Sequence, residues 1–486
     1  MFPESSDIGN VMGDVARKVG VAEAVLRLMV GLLTGLPLAF VYRSFCYKRN
    51  ATIQHICITI CGVWLAFFCF GWSCLHSLVN IILAYLLLQL GGSQALTVIL
   101  MFVLNVGYLI TGYAFKSYSQ DYSVSWTTAH CVLCLRLTGL AWDYFDGNQD
   151  QEKLSEDFRR TAIRDCPTIL QIASYTYFFG GFLVGPQFPM KKYLLLIEGN
   201  LIDHKDDVSV TRITAGLRRF SLGLIYLIMY SVLQPKLKES YLVTDEYDQK
   251  SFLYKLCYAI ATTKVFVMKY QAVWLITEGS CIISGLGYNG RSEDGRDRWD
   301  GCSNVHLLLF ETAYTFQHVI DAFNLNTNQW MFRYLYKRLR FPGNKLISHF
   351  VTLAFVALWH GIAPGFFLCF IGEFVIIVME QQLLGLCRRV VQRPFSSFPL
   401  AIRIPIILFG VCVRLTGVAF FLIPFLLRRL DYTHKVWLSL YYMGPVVLLC
   451  WFILYPTILM PMTRRFSKKP RTELTPKKLN ETLKEE

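Results

Sequence analysis

The chain has 486 residues, of which 54% are hydrophobic, 15% aromatic and only 17% charged. A soluble domain carries about 25% charged residues, so this composition excludes an ordinary soluble enzyme. The net charge of +14 comes from short basic clusters between apolar runs, which is typical of the cytoplasmic loops of a membrane protein and not of a nucleic-acid-binding protein. The 15 cysteines are scattered through apolar segments and indicate small packing residues.

The first half of the chain is dominated by apolar segments. A polar lead over residues 1–20 comes first, and the apolar segment 21–42 predicts the first membrane span. No Asp, Glu, Lys or Arg occurs from Ala51 to Phe115, a stretch of 65 residues. Because one membrane helix needs about 20 residues, this stretch predicts three spans. We place them at 53–72, 74–91 and 93–113.

Two segments in the middle of the chain do not fit a span that faces lipid. Segment 127–141 is short and contains His130 and Arg136, which predicts an interior helix or a half-span. Segment 175–189 is rich in aromatic residues and glycine and predicts a broken or re-entrant element. Irregular backbone of this kind is tolerated in a membrane only where protein or water covers it. A further span is predicted at 222–233.

Residues 252–287 are apolar but contain four charged residues, Lys255, Lys264, Lys269 and Glu278. Isolated charges within a membrane usually face a cavity or the interior of the helix bundle. A lysine near a helix end can instead extend to the membrane surface. The sequence leaves both interpretations open for these residues.

The last third of the chain completes the predicted bundle. Further spans are predicted at 364–384, 402–427 and 436–459. The sequence therefore predicts an all-α, polytopic transmembrane bundle of about ten or eleven spans. We expect a single transmembrane domain over residues 21–462, followed by a basic, disordered cytosolic tail over residues 463–486.

Two polar residues stand out near the charge-free run Leu346–Gly372, which is 27 residues long. His360 lies within this run, and a neutral imidazole in a dry site can act as a general base. The alternative for His360 is a hydrogen-bonded structural histidine between helices. Asn324 lies 36 residues upstream, and its amide could donate to an oxyanion or orient a hydroxyl. The alternative for Asn324 is an asparagine that caps a helix or forms a turn, although Asn326 and Asn328 are better placed for that role.

A strongly basic segment, residues 333–340, lies between these two candidates. Arginine and lysine pair well with phosphate, so the segment could bind a phosphorylated substrate. The alternative is ordinary basic charge on a cytoplasmic loop. The chain contains no GxSxG motif, no HxxxH pair and no P-loop, so a serine nucleophile or a metal site has no support in the sequence.

Taken together, these elements resemble the membrane-bound O-acyltransferases, and among them the lysophospholipid acyltransferases. The match consists of Phe323 and Asn324 followed by Trp330, the basic continuation 333–339, and the Trp-His-Gly sequence at 359–361. Supporting stretches lie at 130–133, 143–147, 182–188, 277–279 and 285–290. The resemblance covers nearly the whole chain. Phe323 departs from the family pattern, in which many members carry tryptophan.

The resemblance implies a multi-pass protein of the endoplasmic reticulum membrane with an internal substrate tunnel. It implies transfer of a polyunsaturated fatty acyl group from acyl-CoA to the sn-2 hydroxyl of a 1-acyl-lysophospholipid. The acceptor would be lysophosphatidylcholine, and also the ethanolamine or serine lysolipids. In this scheme His360 takes the proton of the glycerol hydroxyl, and Asn324 orients that hydroxyl or polarises the thioester.

Further roles follow from the same resemblance. Acyl-CoA would be a co-substrate, with no bound cofactor and no metal. The residues expected to bind it are Arg333, Tyr334, Lys337 and Arg338. Trp330 and Trp359 are expected to line the substrate pocket. Membrane lipids are the expected surroundings, and a homodimer is one option for the oligomeric state.

Two alternatives stay open from the sequence alone. Another enzyme of the same family could acylate a sterol, a diacylglycerol or a protein. A transporter could line a pathway with Arg136, Lys264, Lys269 and Glu278. The transporter hypothesis predicts inverted repeats with paired broken helices, and the sequence has no convincing repeat of this kind.

Overall fold

The fold consists of α-helices joined by short connections. The computed structural model describes residues 8–118, 124–202, 208–339 and 344–466. Within these residues there are two isolated antiparallel bridges and no strand, so the all-α prediction is confirmed. The polar lead contains one helix, whereas the predicted tail lies outside the described residues beyond Phe466.

The helices are described here by their bounds in chain order. The first part contains α1 (Ile8–Val19), α2 (Glu23–Val41), α3 (Ala51–Phe70), α4 (Leu75–Gly91), α5 (Ala95–Tyr118), α6 (Trp126–Gly147), α7 (Glu156–Arg159), α8 (Ile169–Thr176), α9 (Met190–Ile197), α10 (Ser209–Leu233) and α11 (Asp245–Asp248). The second part contains α12 (Phe252–Ser284), α13 (Leu307–Thr312), α14 (Phe316–Ala322), α15 (Leu325–Met331), α16 (Lys345–His360), α17 (Pro364–Val391), α18 (Leu400–Leu427), α19 (Leu430–Ser439), α20 (Met443–Leu454) and α21 (Met460–Phe466). Short π or 3-10 turns lie at Tyr42–Cys46, Gly71–Cys74, Glu239–Val243, Phe332–Tyr336, Phe395–Ser397 and Tyr455–Leu459.

Membrane-spanning helices dominate the fold. In the described part of the chain, 7 helical stretches are long and apolar enough to cross a membrane. They are Glu23–Cys46, Ala51–Gly91, Ala95–Ser117, Ser209–Leu233, Pro364–Val391, Leu400–Leu427 and Met443–Thr463. The stretch Ala51–Gly91 contains both α3 and α4, so the charge-free block holds the three predicted helices. The number is below the ten or eleven spans expected, because α6 and α12 carry charged residues and α16 is short.

Two predicted boundaries are wrong. The span predicted at 222–233 belongs to α10, which already begins at Ser209. Arg212 and Arg219 therefore lie within this helix, and α12 supplies their partners: Arg212 donates to the Ile283 carbonyl and Arg219 pairs with Glu278. A guanidinium that is paired in this way can lie inside a helix of the bundle.

The span predicted at 436–459 is also divided. The chain ends α19 and begins α20 through two consecutive residues in the left-handed region, Tyr441 (φ 56°) and Tyr442 (φ 50°). This backbone break separates the buried residues of α19 from the exposed, apolar surface of α20. Periodicity in the sequence does not reveal it, because both sides of the break are apolar.

Helices α10 and α12 are in close contact along their length. A Cβ atom added to Gly279 would lie 2.8 Å from the Gly216 carbonyl oxygen, and one added to Gly223 would lie 2.8 Å from the Ile276 nitrogen. Small residues at such positions let two membrane helices approach backbone to backbone. The contacts also show that the two helices run antiparallel.

The irregular segment between α8 and α9 is buried and is held by one arginine. Arg136 of α6 is 0% exposed, and its guanidinium donates to four main-chain carbonyls at 2.8 to 3.1 Å. The acceptors are the carbonyls of Tyr175, Thr176, Gly181 and Pro186. Backbone without helical hydrogen bonds needs such partners inside a membrane. The predicted interior character of α6 and the broken element agree with this arrangement.

Each end of the bundle is formed by a different set of loops and helix turns. The loops 43–49 and 285–298 are rich in arginine and lie together, since a Cβ on Gly285 would lie 3.2 Å from Arg43. We call this end the basic end. The opposite end contains the first turns of α2 and the last turns of α5, α10 and α18, and we call it the cavity end.

Candidate active site

A large cavity lies among α2, α5, α6, α10, α12 and α18, and its volume is about 910 Å³. Its lining includes both Asn324 and His360. The fold therefore brings the two candidate catalytic residues into one space, although 36 residues separate them in the chain. Most of the other lining side chains are apolar or aromatic, which suits a fatty acyl chain.

His360 ends α16 inside a group of aromatic rings. Its ring stacks on Phe370, with centroids 5.4 Å apart and planes inclined by 19°, and the edge of Phe425 lies at a centroid distance of 5.0 Å. Within the described residues, neither ring nitrogen has a hydrogen-bond partner. The alternative of a hydrogen-bonded structural histidine therefore finds no support, and both nitrogens are available to a substrate.

Gly361 explains why a glycine follows this histidine. Its φ is 146°, which L-residues rarely adopt, and a Cβ would lie 2.8 Å from the Phe366 ring. The chain turns sharply here from α16 into α17. The glycine thus lets His360 lie at the very end of its helix, beside the cavity.

Asn324 lies at the N-cap position of α15, but its side chain does not cap the helix. Its backbone is left-handed, with φ 56° and ψ 40°, a conformation that asparagine tolerates better than most residues. Asn326 and Asn328 instead use their amides locally, with Asn326 donating to Cys302 and Ser303 and Asn328 donating to Ile320 and Phe323. The amide of Asn324 has no protein partner in the described residues.

The three other aromatic candidates lie in different places. Trp359 lines the cavity, and its indole donates to the Cys131 carbonyl at 3.0 Å. Trp330 and Tyr334 are buried against α6, where Trp330 donates to the Leu135 carbonyl at 2.9 Å. They line a second cavity of about 20 Å³ together with Arg333, and not the large one. Trp330 was predicted to line the substrate pocket. This stays a prediction, because Trp330 does not line the large cavity.

The predicted CoA-binding segment is engaged with carboxylates at the basic end. Lys337 pairs with Asp157, and this contact lowers the pKa of the Asp157 carboxyl. Arg338 pairs with Asp146, and its guanidinium lies 3.7 Å from the centre of the Phe158 ring. The hydroxyl of Tyr334 donates to Asp143 at 2.6 Å.

None of these residues lines the large cavity. Arg340, at the end of the segment, lies outside the described residues. Binding of CoA phosphates by residues 333–338 stays a prediction, and a phosphate there would compete with Asp157 and Asp146.

Four basic residues line the outer part of the cavity, and the sequence analysis had singled out only Lys269 among them. They are Lys116, Arg428 and Arg429, together with Lys269 of α12. The Lys269 ammonium lies 4.6 Å and 5.1 Å from the ring centres of Phe266 and Tyr270. In the described residues it has no carboxylate within ion-pair distance. The feature of the sequence that pointed to Lys269 as a cavity residue was its isolated charge within an apolar segment.

The remaining isolated charges are structural. Lys264 pairs with Glu311 at 2.5 Å, and Glu278 pairs with Arg219 at 2.6 Å. Both pairs join neighbouring elements and do not line the cavity. Lys255 pairs with Asp248 at 3.7 Å, so of the four charges in the described segment 252–287 only Lys269 lines the cavity. The described residues contain no group of three or more side chains that could hold a metal ion.

Comparison with known proteins agrees with this architecture. Residues 111–423 match the model of the membrane-bound O-acyltransferase family. The chain is 38% identical to human lysophospholipid acyltransferase 5 over 466 residues, which cover 95% of this chain and 94% of the human protein. It is 38% identical to the Drosophila melanogaster protein of the same name over 392 residues, covering 80% and 78% of the two chains. The Caenorhabditis elegans relative is 32% identical over 468 residues, covering 95% and 97%.

The fold and the cavity define a multi-pass membrane protein with a histidine and an asparagine available in one internal site. The chain belongs to the membrane-bound O-acyltransferase family. It is therefore an O-acyltransferase, and the resemblance identified from the Asn324 and His360 elements is confirmed at the level of the family.

Proposed function

We propose that this O-acyltransferase is a lysophospholipid acyltransferase that remodels membrane phospholipids. It transfers a fatty acyl group, preferably polyunsaturated, from acyl-CoA to the sn-2 hydroxyl of a 1-acyl-lysophospholipid. The observation that carries the proposal is the cavity shared by His360 and Asn324, in which neither side chain has a hydrogen-bond partner among the described residues. The name of the similar proteins, lysophospholipid acyltransferase 5, supports this class of acceptor.

The reaction needs one base and one donor. An unprotonated ring nitrogen of His360 takes the proton of the acceptor hydroxyl as its oxygen attacks the thioester carbonyl. The amide N–H of Asn324 donates to the oxyanion that develops on that carbonyl. When the intermediate collapses, the carbon–sulfur bond breaks and the CoA thiolate receives the proton from His360. The products are the ester and free CoA, so no cofactor or metal is needed.

The two substrates would reach the site from opposite ends of the bundle. Loops rich in arginine and lysine usually face the cytoplasm, and the basic end is therefore assigned to that side. Acyl-CoA is made in the cytoplasm and carries several phosphates, which fits the basic end and its segment 333–338. The endoplasmic reticulum membrane is the expected location.

The cavity end offers a place for the phosphate of the acceptor. Lys269, Arg428 and Arg429 line the cavity near the ends of α10 and α18. A lysophospholipid whose acyl chain lies among the aromatic residues would bring its phosphate to these cations. Choline, ethanolamine and serine headgroups all carry this phosphate, so phosphate binding alone does not select one of them.

Acyl transfer by the purified protein tests the proposal. The substrates are arachidonoyl-CoA and a panel of lysophospholipids in detergent, and the variants are His360→Ala and Asn324→Ala. His349→Ala is a matched control, because His349 lies in the same helix but contacts Tyr336 and Phe374 and does not line the cavity. Loss of turnover in His360→Ala and a strong but still measurable fall in Asn324→Ala, with turnover retained in His349→Ala, support the proposal.

Two other outcomes decide against it. Turnover that survives His360→Ala contradicts histidine as the base. No turnover on any lysophospholipid, with turnover on a sterol, a diacylglycerol or a peptide, would place the enzyme with a different acceptor of the same family.

A further inference from the structure

The first turn of α15 is capped by a residue from another segment. Helices begin with N–H groups that have no partner within the helix, and the side chain of the N-cap residue usually accepts from one of them. Asn324 holds the N-cap position but makes no such bond. Asn304 accepts instead, with its carbonyl oxygen 3.2 Å from the Leu325 nitrogen and its side-chain oxygen 3.0 Å from the Asn326 nitrogen.

Asn304 is itself fixed in place. Val305 and Phe323 form an antiparallel bridge, and His306 donates to the Ala322 carbonyl at 2.9 Å, so the segments before α13 and α15 run side by side. The side-chain amide of Asn326 in turn donates hydrogen bonds to the carbonyls of Cys302 and Ser303, just before Asn304. Asn304 is only 4% exposed, and it lines the large cavity beside Asn324.

This division of tasks has a consequence for Asn324. The conformation of a left-handed N-cap residue depends on the turn around it. The side chain of an N-cap asparagine also tends to accept a hydrogen bond from a backbone N–H group in the first turn of its own helix. The first two N–H groups of α15, those of Leu325 and Asn326, already donate to Asn304. The side chain of Asn324 therefore gains less from a hydrogen bond to its own helix. It can then stay directed at a reacting group in the cavity.

We propose that Asn304 is a positioning residue for acyl transfer, which caps α15 so that the Asn324 amide is presented to the thioester. The inference rests on the proposed role of Asn324. Asn304 acts through its oxygen, as an acceptor from Asn326. The competing explanation is that its Nδ2 group binds the substrate directly, since Asn304 also lines the cavity.

The two explanations differ in a substitution that keeps the oxygen and removes the amide donor. Asn304→Asp retains an acceptor for the Asn326 N–H, and a carboxylate is favourable at a helix N-terminus. Asn304→Ala removes the side-chain acceptor altogether. We expect Asn304→Ala to lower kcat about tenfold with KM for both substrates nearly unchanged, because misplacement of a catalytic group acts on the transition state. Asn304→Asp should restore most of kcat.

A double variant separates positioning from a general loss of stability. In the Asn324→Ala background, Asn304→Ala should cause no further fall in kcat, because the group that it positions is already absent. All variants are measured as full-length protein purified in detergent, with arachidonoyl-CoA and lysophosphatidylcholine, and thermal unfolding is recorded in parallel. If Asn304 only stabilised the fold, Asn304→Ala would lower the unfolding temperature. It would then also lower kcat further in the Asn324→Ala background.

Each remaining outcome is decisive. An Asn304→Asp variant as slow as Asn304→Ala, or an additional loss in the double variant, overturns positioning in favour of direct substrate binding. If Asn304→Ala does not fold, the kcat of Asn304→Asp alone distinguishes the two explanations, because that variant keeps the acceptor oxygen and lacks the Nδ2 donor. A kcat near that of the unsubstituted protein supports positioning, and a low kcat supports direct substrate binding. Full turnover of Asn324→Ala overturns the proposed mechanism together with this inference, whereas an inactive Asn324→Ala beside a fully active Asn304→Ala overturns the inference alone.

Discussion

The imidazole of His360 lies flat against the ring of Phe370, with centroids 5.4 Å apart and planes inclined by 19°. Ring contacts of this kind orient the histidine, with the edge of Phe425 at 5.0 Å as a second one, since no hydrogen bond holds its nitrogens in the described residues. The orientation of the base therefore depends on aromatic packing of the end of α16 against α17 and α18.

Phe370→Leu should lower kcat by about tenfold while KM for either substrate changes little. Leucine leaves room in which the imidazole can rotate, and small displacements of a catalytic group are costly to the rate. Steady-state kinetics with acyl-CoA and lysophosphatidylcholine measure the effect. Phe374→Leu is the matched control, because Phe374 lies one turn further along α17 and contacts His349 instead. Equal losses in the two variants would contradict a specific role for the stacking.

Gly361→Ala should both destabilise the protein and reduce its activity. The glycine has φ 146°, and a Cβ would lie 2.8 Å from the Phe366 ring. Backbone strain of this kind costs about 1–3 kcal/mol. Thermal unfolding in detergent, measured beside kcat, tests the expectation. Gly385→Ala in α17 is the control, since no atom lies within 4 Å of the added methyl group and the conformation is helical. It should be neutral or slightly stabilising.

Much of the fold could be predicted from the sequence because the membrane restricts the choices. The 65 charge-free residues from Ala51 to Phe115 admit only membrane helices, and α3, α4 and α5 lie there. The start of α10 could not be predicted, because Arg219 is compatible with a buried helix only when Glu278 of α12 is beside it. That pairing depends on tertiary contact and leaves no local pattern.

The candidate site divides in the same way. His360 and Asn324 could be found from their sequence elements, and their common cavity agrees with the choice. The basic segment was the more obvious candidate for phosphate, yet Lys337 and Arg338 are paired with carboxylates that lie some 180 residues away. Asn304 could not be found, because its role follows from the pairing of residues 302–306 with 322–326.

Lys269 and Lys337 should affect different substrates. Lys269→Met should raise KM for lysophosphatidylcholine by about tenfold, because a hydrogen bond to a charged group contributes about 1.5–3 kcal/mol. It should leave KM for acyl-CoA nearly unchanged, since Lys269 lines the cavity near Arg428.

Lys337→Met is the second arm of this experiment. It should raise KM for acyl-CoA if segment 333–338 binds the CoA phosphates, with the acceptor KM unchanged. An increase in KM for acyl-CoA in Lys269→Met, or no change in either constant for Lys337→Met, would reassign the phosphate contacts. Both variants keep a flexible side chain of similar length, so packing changes little.

Arg136→Leu should prevent recovery of folded protein or lower its unfolding temperature strongly. The guanidinium donates to the carbonyls of Tyr175, Thr176, Gly181 and Pro186, and the substitution leaves all of them without this donor. A buried polar group that loses its partner costs about 1–3 kcal/mol.

Thr138→Val, two residues along α6, gives the opposite expectation. The Thr138 hydroxyl is buried and has no hydrogen-bond partner in the part of the chain that the structure describes, so its replacement by a methyl group should be neutral or stabilising. Thermal unfolding of both variants in the same detergent measures the difference. A stable Arg136→Leu would mean that water or lipid headgroups can satisfy the irregular segment, and that α6 is not required to hold it against the cavity wall formed by Gly185 and Gln187.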